Sequence, residues 1–427
     1  MKAWDKIIKI FKLKDLRNKI LFVFGMLVIF RIFGAIPVPG VNTERLQGFF
    51  ENNQLFGLLN VFSGAGMDNF SLVMMGVGPY ITSSIVMQLM TVIIPTVEKW
   101  YREEGEAGRR KFQQVTRILT VPFSLIQSYG MITLLKSQNV INNLTGFELF
   151  KTIVIVTAGT IFLMWLGELI TEKGIGNGTS LIIFAGILTN IPNALRRFIA
   201  TWDETQLLSY SLFLVVLAVV VAGVVFVTEG QRNIPVIYAR RISGRGIASS
   251  SSYLPLRVNQ AGVIPIIFAM SILLFPRMVS NVLGVVGNDK VREIAIKVGA
   301  FLQNQWVYGF SYFVLVVAFT YFYTMVTFEP TKVSENLQKQ GGYIPGIRPG
   351  KSTSEYLQKV LNRITLAGAL FLGTIAILPF VVQGVTHIQS MSIGGTSLLI
   401  AVSVALDSMK QIDSQLVMRD YDGFLKG

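Results

Sequence analysis

Chemistry in this sequence is confined to a few side chains, and their placement excludes more than it supports. Glu168, Glu172, Glu229 and Asp407 are the carboxylates that adjoin the long apolar stretches, and each falls where a stretch ends. His387 is the only histidine, and there is no cysteine. An ion-coupled transporter buries an ionisable residue with a partner near the bilayer midplane. Arg31 lies in the outer half of the first apolar stretch, and snorkelling or a bond to backbone carbonyls explains it better than a substrate role. One histidine in a connector provides neither a metal cluster nor a nucleophile–base pair. The run "GIRPGKS" at 346–352 mimics a phosphate loop. That motif needs glycine five residues before the glycine of GK, where this chain has Pro345, and a preceding strand is not expected. The residues therefore predict no enzyme, no cofactor and no metal, and any work the protein does draws its energy from elsewhere.

What the chain offers instead is apolar surface. Of its 427 residues 52% are hydrophobic and 15% charged, with a mean hydropathy of +0.55, outside the range of soluble domains. Ten stretches are long enough to cross a hydrocarbon core of about 30 Å. They run at about 20–36, 72–94, 118–135, 150–170, 179–195, 208–228, 260–282, 307–328, 364–383 and 394–410. Threading them alternately puts 28 Lys and Arg on one side and nine on the other, so both termini are expected in the cytoplasm. No small-residue cleavage site follows the basic N-terminus, and a cleavable leader is not expected. Ile7, Ile8, Phe11 and Leu16 share one face of that N-terminus opposite lysines. It reads equally as an interfacial helix on the anionic leaflet or as a solvated tail.

Two pairs of segments repeat. "GVGPYI" at 76–81 matches "GVIPII" at 262–267, aligning Pro79 with Pro265 and Ile81 with Ile267. "GNGTSLII" at 176–183 matches "GGTSLLI" at 394–400, aligning Thr179 with Thr396 and Ile183 with Ile400. Both pairs lie five spans apart. An odd offset makes the halves cross in opposite directions, the inverted-repeat plan that places a pathway at the interface of the halves. The expected fold is thus an all-α membrane protein, with ten transmembrane helices in two inverted five-helix halves around a central pore. The halves are residues 1–200, carrying spans 1–5, and 207–427, carrying spans 6–10. Spans 2, 5, 7 and 10 are the candidates for the pathway.

On those spans the recurrent residue is isoleucine. Ile81 and Ile85 lie one helical turn apart, as do Ile183 and Ile187, with Ile267 and Ile400 as repeat-related counterparts. Composition alone assigns them to packing or lipid contact. Combined with the repeat they form a ring, a constriction that blocks water and ions without a fixed binding site. Two connectors, 229–258 and 329–358, exceed what joining spans requires and mix arginine with Gly, Pro and Tyr. Their length and turn chemistry suit docking to an acidic partner, where charge alone would suit a solvated loop.

The chain resembles the SecY family, the central subunits of bacterial protein-conducting channels. The resemblance rests on "RIFGAIPVPGV", "VFSGAGMDNFSLVMMGVGPYITSSIVMQL", "EGEAGRRKFQQVTR", "EKGIGNGTSLIIFAGI", "LPLRVNQAGVIPIIFA", "GGYIPGIRPGKST" and "GGTSLLI", in that order along the whole chain. It implies that Ile81, Ile85, Ile183, Ile187, Ile267 and Ile400 form the pore ring. It implies a short re-entrant plug helix at about 56–68, containing Phe56, Leu59, Asn60, Val61, Phe62, Ser63, Gly64, Gly66 and Asp68. Spans 2 and 7 resemble the lateral gate, with Ser83, Ser84, Gln88, Asn259, Ile267 and Ser271 as its residues. Arg240, Arg241, Arg245, Arg348 and Lys351 fall on the surface that docks the motor ATPase SecA and the ribosome. SecE and SecG subunits, signal peptides, nascent chains and membrane lipids are the further partners implied, and the cytoplasmic (inner) membrane the location. The competing reading from the residues is a secondary transporter for a small solute, which the repeat favours and the missing midplane charges oppose.

The same resemblance resolves the uneven stretch 58–90. Its glycine-rich first part, to Asp68, is read as the plug. From Phe70 onward Ile81 and Ile85 are expected toward the pore, and Thr82, Ser83, Ser84 and Gln88 toward the gate.

Overall fold

A computed structural model describes residues 12–38, 70–137, 141, 145–200, 207–241, 247–283, 290, 293, 297, 299, 301, 304–386 and 395–425. Each of the ten predicted spans falls on its own helix. These are α1 (Lys14–Ala35), α2 (Gly78–Ile93), α4 (Gly105–Ser137), α5 (Gly146–Lys173), α6 (Gly178–Ala200), α7 (Leu207–Glu229), α8 (Ile264–Leu283), α9 (Gln305–Thr327), α11 (Lys351–Thr386) and α12 (Gly395–Leu425). Two shorter helices, α3 (Pro95–Arg102) and α10 (Pro330–Lys339), and strands β1 (Gln231–Arg241), β2 (Ile247–Arg257) and β3 (Gly342–Tyr343) complete the order. Among the described residues five helices are long and apolar enough to span alone, and the count is six if the pair α2–α3, bent by 108° at Ile94, is one span.

The repeat read from sequence reappears as backbone geometry. Gly76 has φ +57° and Gly262 φ +62°, each two residues before a helix, α2 and α8 respectively. A left-handed residue there costs a side chain about 1 kcal/mol, which glycine avoids. Pro79 and Pro265 then take the second helical position, where a missing N–H leaves no hydrogen bond broken. Helices α6 and α12 both start on Gly-Thr-Ser, at Gly178 and Gly395.

The chain packs as two compact units. The first comprises Met1–Glu204, Ser271–Asn304 and Ile388–Gly427, the second Thr205–Met270 and Gln305–His387. The boundary falls inside α8. In the first unit α2 packs on α4 and α5, α5 on α6, and α6 on α12. Glycine sets how closely two of these segments approach. A Cβ on Gly159 would strike the backbone of Leu72, and one on Gly178 the carbonyl of Gly167. The residues flanking α1 and α2 are tied together. Pro37 bridges Ser71, the Val38 amide donates to the Phe70 carbonyl at 2.9 Å, and the Leu72 amide donates to the Ile36 carbonyl at 3.1 Å. Phe70 is buried with Val38, Met74, Ile132, Leu135 and Val156, and this holds it at φ +46°, the left-handed region that a bulky residue normally avoids.

Several buried threonines within the apolar helices are satisfied by their own backbone, whereas the buried hydroxyls of Ser124, Ser128, Thr157, Tyr312 and Ser403 have no partner among the described residues. Thr116 and Thr120 on α4, Thr160 on α5, and Thr320 and Thr324 on α9 each donate to the carbonyl four residues earlier. With no water in the hydrocarbon, an unpaired group there would cost several kcal/mol, by order of magnitude.

In the second unit α9 packs along α11. The buried residues recur every fourth position, Tyr312, Val316, Thr320 and Thr324 facing inward on α9 and Leu357, Leu361, Thr365 and Ala369 on α11. Beside these helices the connectors 229–258 and 329–358 build one body. Strands β1 and β2 form an antiparallel hairpin, β3 adds to the other edge of β1, and the order is β2-β1-β3. Ile234, Val236, Leu256, Leu337, Ile344 and Leu357 make its core.

Candidate functional site

The ring isoleucines are all buried, none more than 8% exposed. Ile81 and Ile85 stand on α2, Ile183 and Ile187 on α6, and Ile400 on α12. These three helices belong to the first unit, joined through α5, so five of the six residues share one packed body. Ile267, on the part of α8 that belongs to the second unit, is the sixth. The turn that starts α6 fixes its register against α12. Gly176, at φ +90°, donates its amide to Oε1 of Gln411 at 2.7 Å, and Thr171 bridges the Gly167 carbonyl and the Gly178 amide.

The residues expected at the gate differ from one another. Ser83 is fully buried, and its hydroxyl has no partner among the described residues. Ser84 accepts a long 3.4 Å bond from Nε2 of Gln88, whose own Oε1 is buried without a partner among the described residues. In the second unit Asn259 donates Nδ2 to the Gly262 carbonyl at 3.1 Å, bracing the left-handed turn before α8, while its Oδ1 is unpartnered among the described residues. Ser271 is half-buried on α8. Thr82 has a different role. Its hydroxyl accepts from Nε2 of Gln127 on α4 at 3.2 Å and donates to the Gly78 carbonyl, so this part of the polar run joins α2 to α4. Gln127 was legible as a lone amide in an apolar stretch, a signal of a buried partner. Glu168, which the sequence places at a span end, pairs with Arg117 of α4 at 2.7 Å.

The plug residues Phe56 to Asp68, Arg245 and His387 lie outside the described residues. Arg240 and Arg241 occupy the end of β1, in register with Ala248 and Ile247 of β2. Arg348 and Lys351 are exposed, Arg348 in the turn after β3 and Lys351 at the first position of α11. That turn is built, not slack. Gly346 and Gly350 take φ +77° and +94°, and Ile344 is inserted into the core beneath it. The Thr353 hydroxyl donates to the Arg348 carbonyl at 2.9 Å, and the Ser334 hydroxyl to the Gly350 carbonyl at 2.7 Å. Arg348 has no ion-pair partner among the described residues. It offers a bidentate donor to a carboxylate or phosphate outside the chain.

Buried isoleucines thus stand on α2, α6 and α12 in the first unit and on α8 in the second, and the braced basic turn belongs to the second unit. A solved structure described as a protein-conducting channel superimposes with TM-score 0.65 over 93% of this chain and 91% of its own, at 19% identity. Sec61 in a canine ribosome-channel complex gives 0.62 over 93% and 91%, at 18% identity. The SecY family model matches residues 71–409, and the protein translocase subunit SecY of Halalkalibacterium halodurans is 46% identical over 98% of both chains. The chain belongs to the SecY family and is a protein-conducting channel subunit. The small-solute transporter finds no support in these relatives.

Proposed function

We propose that the protein passes unfolded secretory proteins across the cytoplasmic membrane and releases membrane helices sideways into lipid, with both termini in the cytoplasm. The single observation that carries this reading is the pair of matching helix starts at Gly76 and Gly262, each followed by a repeat-related isoleucine, Ile81 and Ile267. Such symmetry suits an interface between halves that opens, and isoleucine there suits a passenger of any sequence. In this reading Ile81, Ile85, Ile183, Ile187, Ile267 and Ile400 close the resting pore and residues 56–68 plug it. The polar residues Ser83, Ser84, Gln88, Asn259 and Ser271 keep gate closure weak enough for an apolar signal helix to compete. SecA or the ribosome docks on the basic module and supplies the driving force, and SecE and SecG complete the channel. The protein itself catalyses no reaction.

The test is reconstitution of the chain with SecE and SecG in proteoliposomes. An unfolded precursor is expected to become protease-protected only with SecA, ATP and an intact signal sequence. Uptake of a small solute by the chain alone, with no precursor protected, would overturn the reading.

A further inference from the structure

The backbone around Arg348 is constrained more completely than a basic contact loop requires. The Arg348 carbonyl accepts from Thr353 at 2.9 Å, Pro349 fixes the next φ, and the Gly350 carbonyl accepts from Ser334 at 2.7 Å. Thus three consecutive residues are held from two directions, by α11 and by α10. Both hydroxyl-bearing residues are buried, although the loop they brace is exposed. A hydroxyl pair, Thr331 and Ser354, also links the same two helices at 3.3 Å. Gly350, at φ +94°, is the conformation that turns its carbonyl toward Ser334 without penalty to a Cβ.

These braces do not stabilise a hydrophobic core, since Ile344, Leu337 and Leu357 already supply one. Their effect falls on the direction in which the Arg348 side chain leaves the backbone. A long side chain on a free loop loses backbone and rotamer freedom when it docks, and a pre-set backbone removes the first of those costs.

We infer that Ser334 and Thr353 are positioning residues that hold Arg348 ready to dock an acidic surface of the motor ATPase. The inference rests on the docking role given to Arg348 above. Neither hydroxyl touches the partner; each acts through the carbonyl it binds.

The experiment titrates SecA against the reconstituted channel complex and measures precursor-stimulated ATP hydrolysis. Ser334→Ala and Thr353→Val are each expected to raise the half-saturating SecA concentration by roughly five-fold, the worth of one hydrogen bond, with the maximal rate unchanged. Ser334→Thr and Thr353→Ser, which keep the hydroxyl, restore the original value and exclude a folding defect. In an Arg348→Ala background, adding Ser334→Ala brings no further rise. The inference is overturned if Arg348→Ala weakens docking while Ser334→Ala and Thr353→Val do not. It is also overturned if their effects add fully to that of Arg348→Ala. If Arg348→Ala itself changes nothing, the docking role fails, and the inference with it.

Discussion

The amide of Gly176 and the side-chain oxygen of Gln411 meet at 2.7 Å across 235 positions of the chain. This contact ties the turn that launches α6 to the flank of α12, and with it Ile183 and Ile187 to Ile400. A Cβ on Gly176 would press on Leu181 Cδ1 at 3.3 Å, and φ +90° disfavours any side chain. Gln411→Leu is expected to cost about 1 kcal/mol and Gly176→Ala about 1–2 kcal/mol. Thermal unfolding of the detergent-purified protein, followed by tryptophan fluorescence, reads both. Equal stability of Gly176→Ala and the original protein would mean the turn is not constrained.

Thr82 and Gln127 provide an asymmetric test of how α2 is held to α4. Thr82→Val strands the Gln127 amide and is expected to cost about 1–2 kcal/mol. Gln127→Leu removes the polar group altogether and should be near neutral. The double substitution should then recover about 1 kcal/mol of that loss, a coupling of the size found for other hydrogen bonds between membrane helices. A double-mutant cycle on unfolding free energy measures it.

The ring is tested by conductance. Replacing Ile81, Ile183, Ile267 and Ile400 together by glycine is expected to make the resting channel leak ions in planar bilayers. Each single replacement should be tolerated, because the remaining apolar side chains still exclude water. Unchanged conductance in the fourfold variant would remove the ring from the mechanism.

Gly342→Val addresses the join between the two long connectors. A Cβ at Gly342 would lie 2.8 Å from Cε1 of Tyr238, and valine adds two methyl groups to that contact. Strand β3 should detach from β1, leaving the hairpin open more of the time. Limited proteolysis is expected to cut the β1–β2 connector about ten-fold faster for each 1.4 kcal/mol of local stability lost. An unchanged rate would mean β3 does not support the hairpin.

Hydropathy was enough to place all ten helices, because each needs a continuous apolar stretch whatever it packs against. The repeat was legible for a related reason: glycine and proline at a helix start are local requirements, and Gly76 and Gly262 meet them in the same way. The module built from the connectors 229–258 and 329–358 was not legible as one body. Its two connectors are joined through a strand of two residues, Gly342–Tyr343, too short to leave a period in the sequence. Thr82 was read with Ser83 and Ser84 as gate polarity, but nothing local distinguishes a hydroxyl that faces a gate from one that accepts from Gln127. The Arg117–Glu168 pair was missed because its members sit 51 positions apart on helices whose neighbours composition does not reveal. The bend at Ile94 is marked in sequence only by Pro95, which permits a new helix to begin there without dictating the angle.

The tie between Val38 and Phe70 has a mechanical meaning. The Pro37–Ser71 bridge and two backbone hydrogen bonds fasten the stretch that follows α1 to the stretch that precedes α2. A pull on either helix is therefore shared by the other at that point. The two helices keep their spacing as long as the clasp at Phe70 survives.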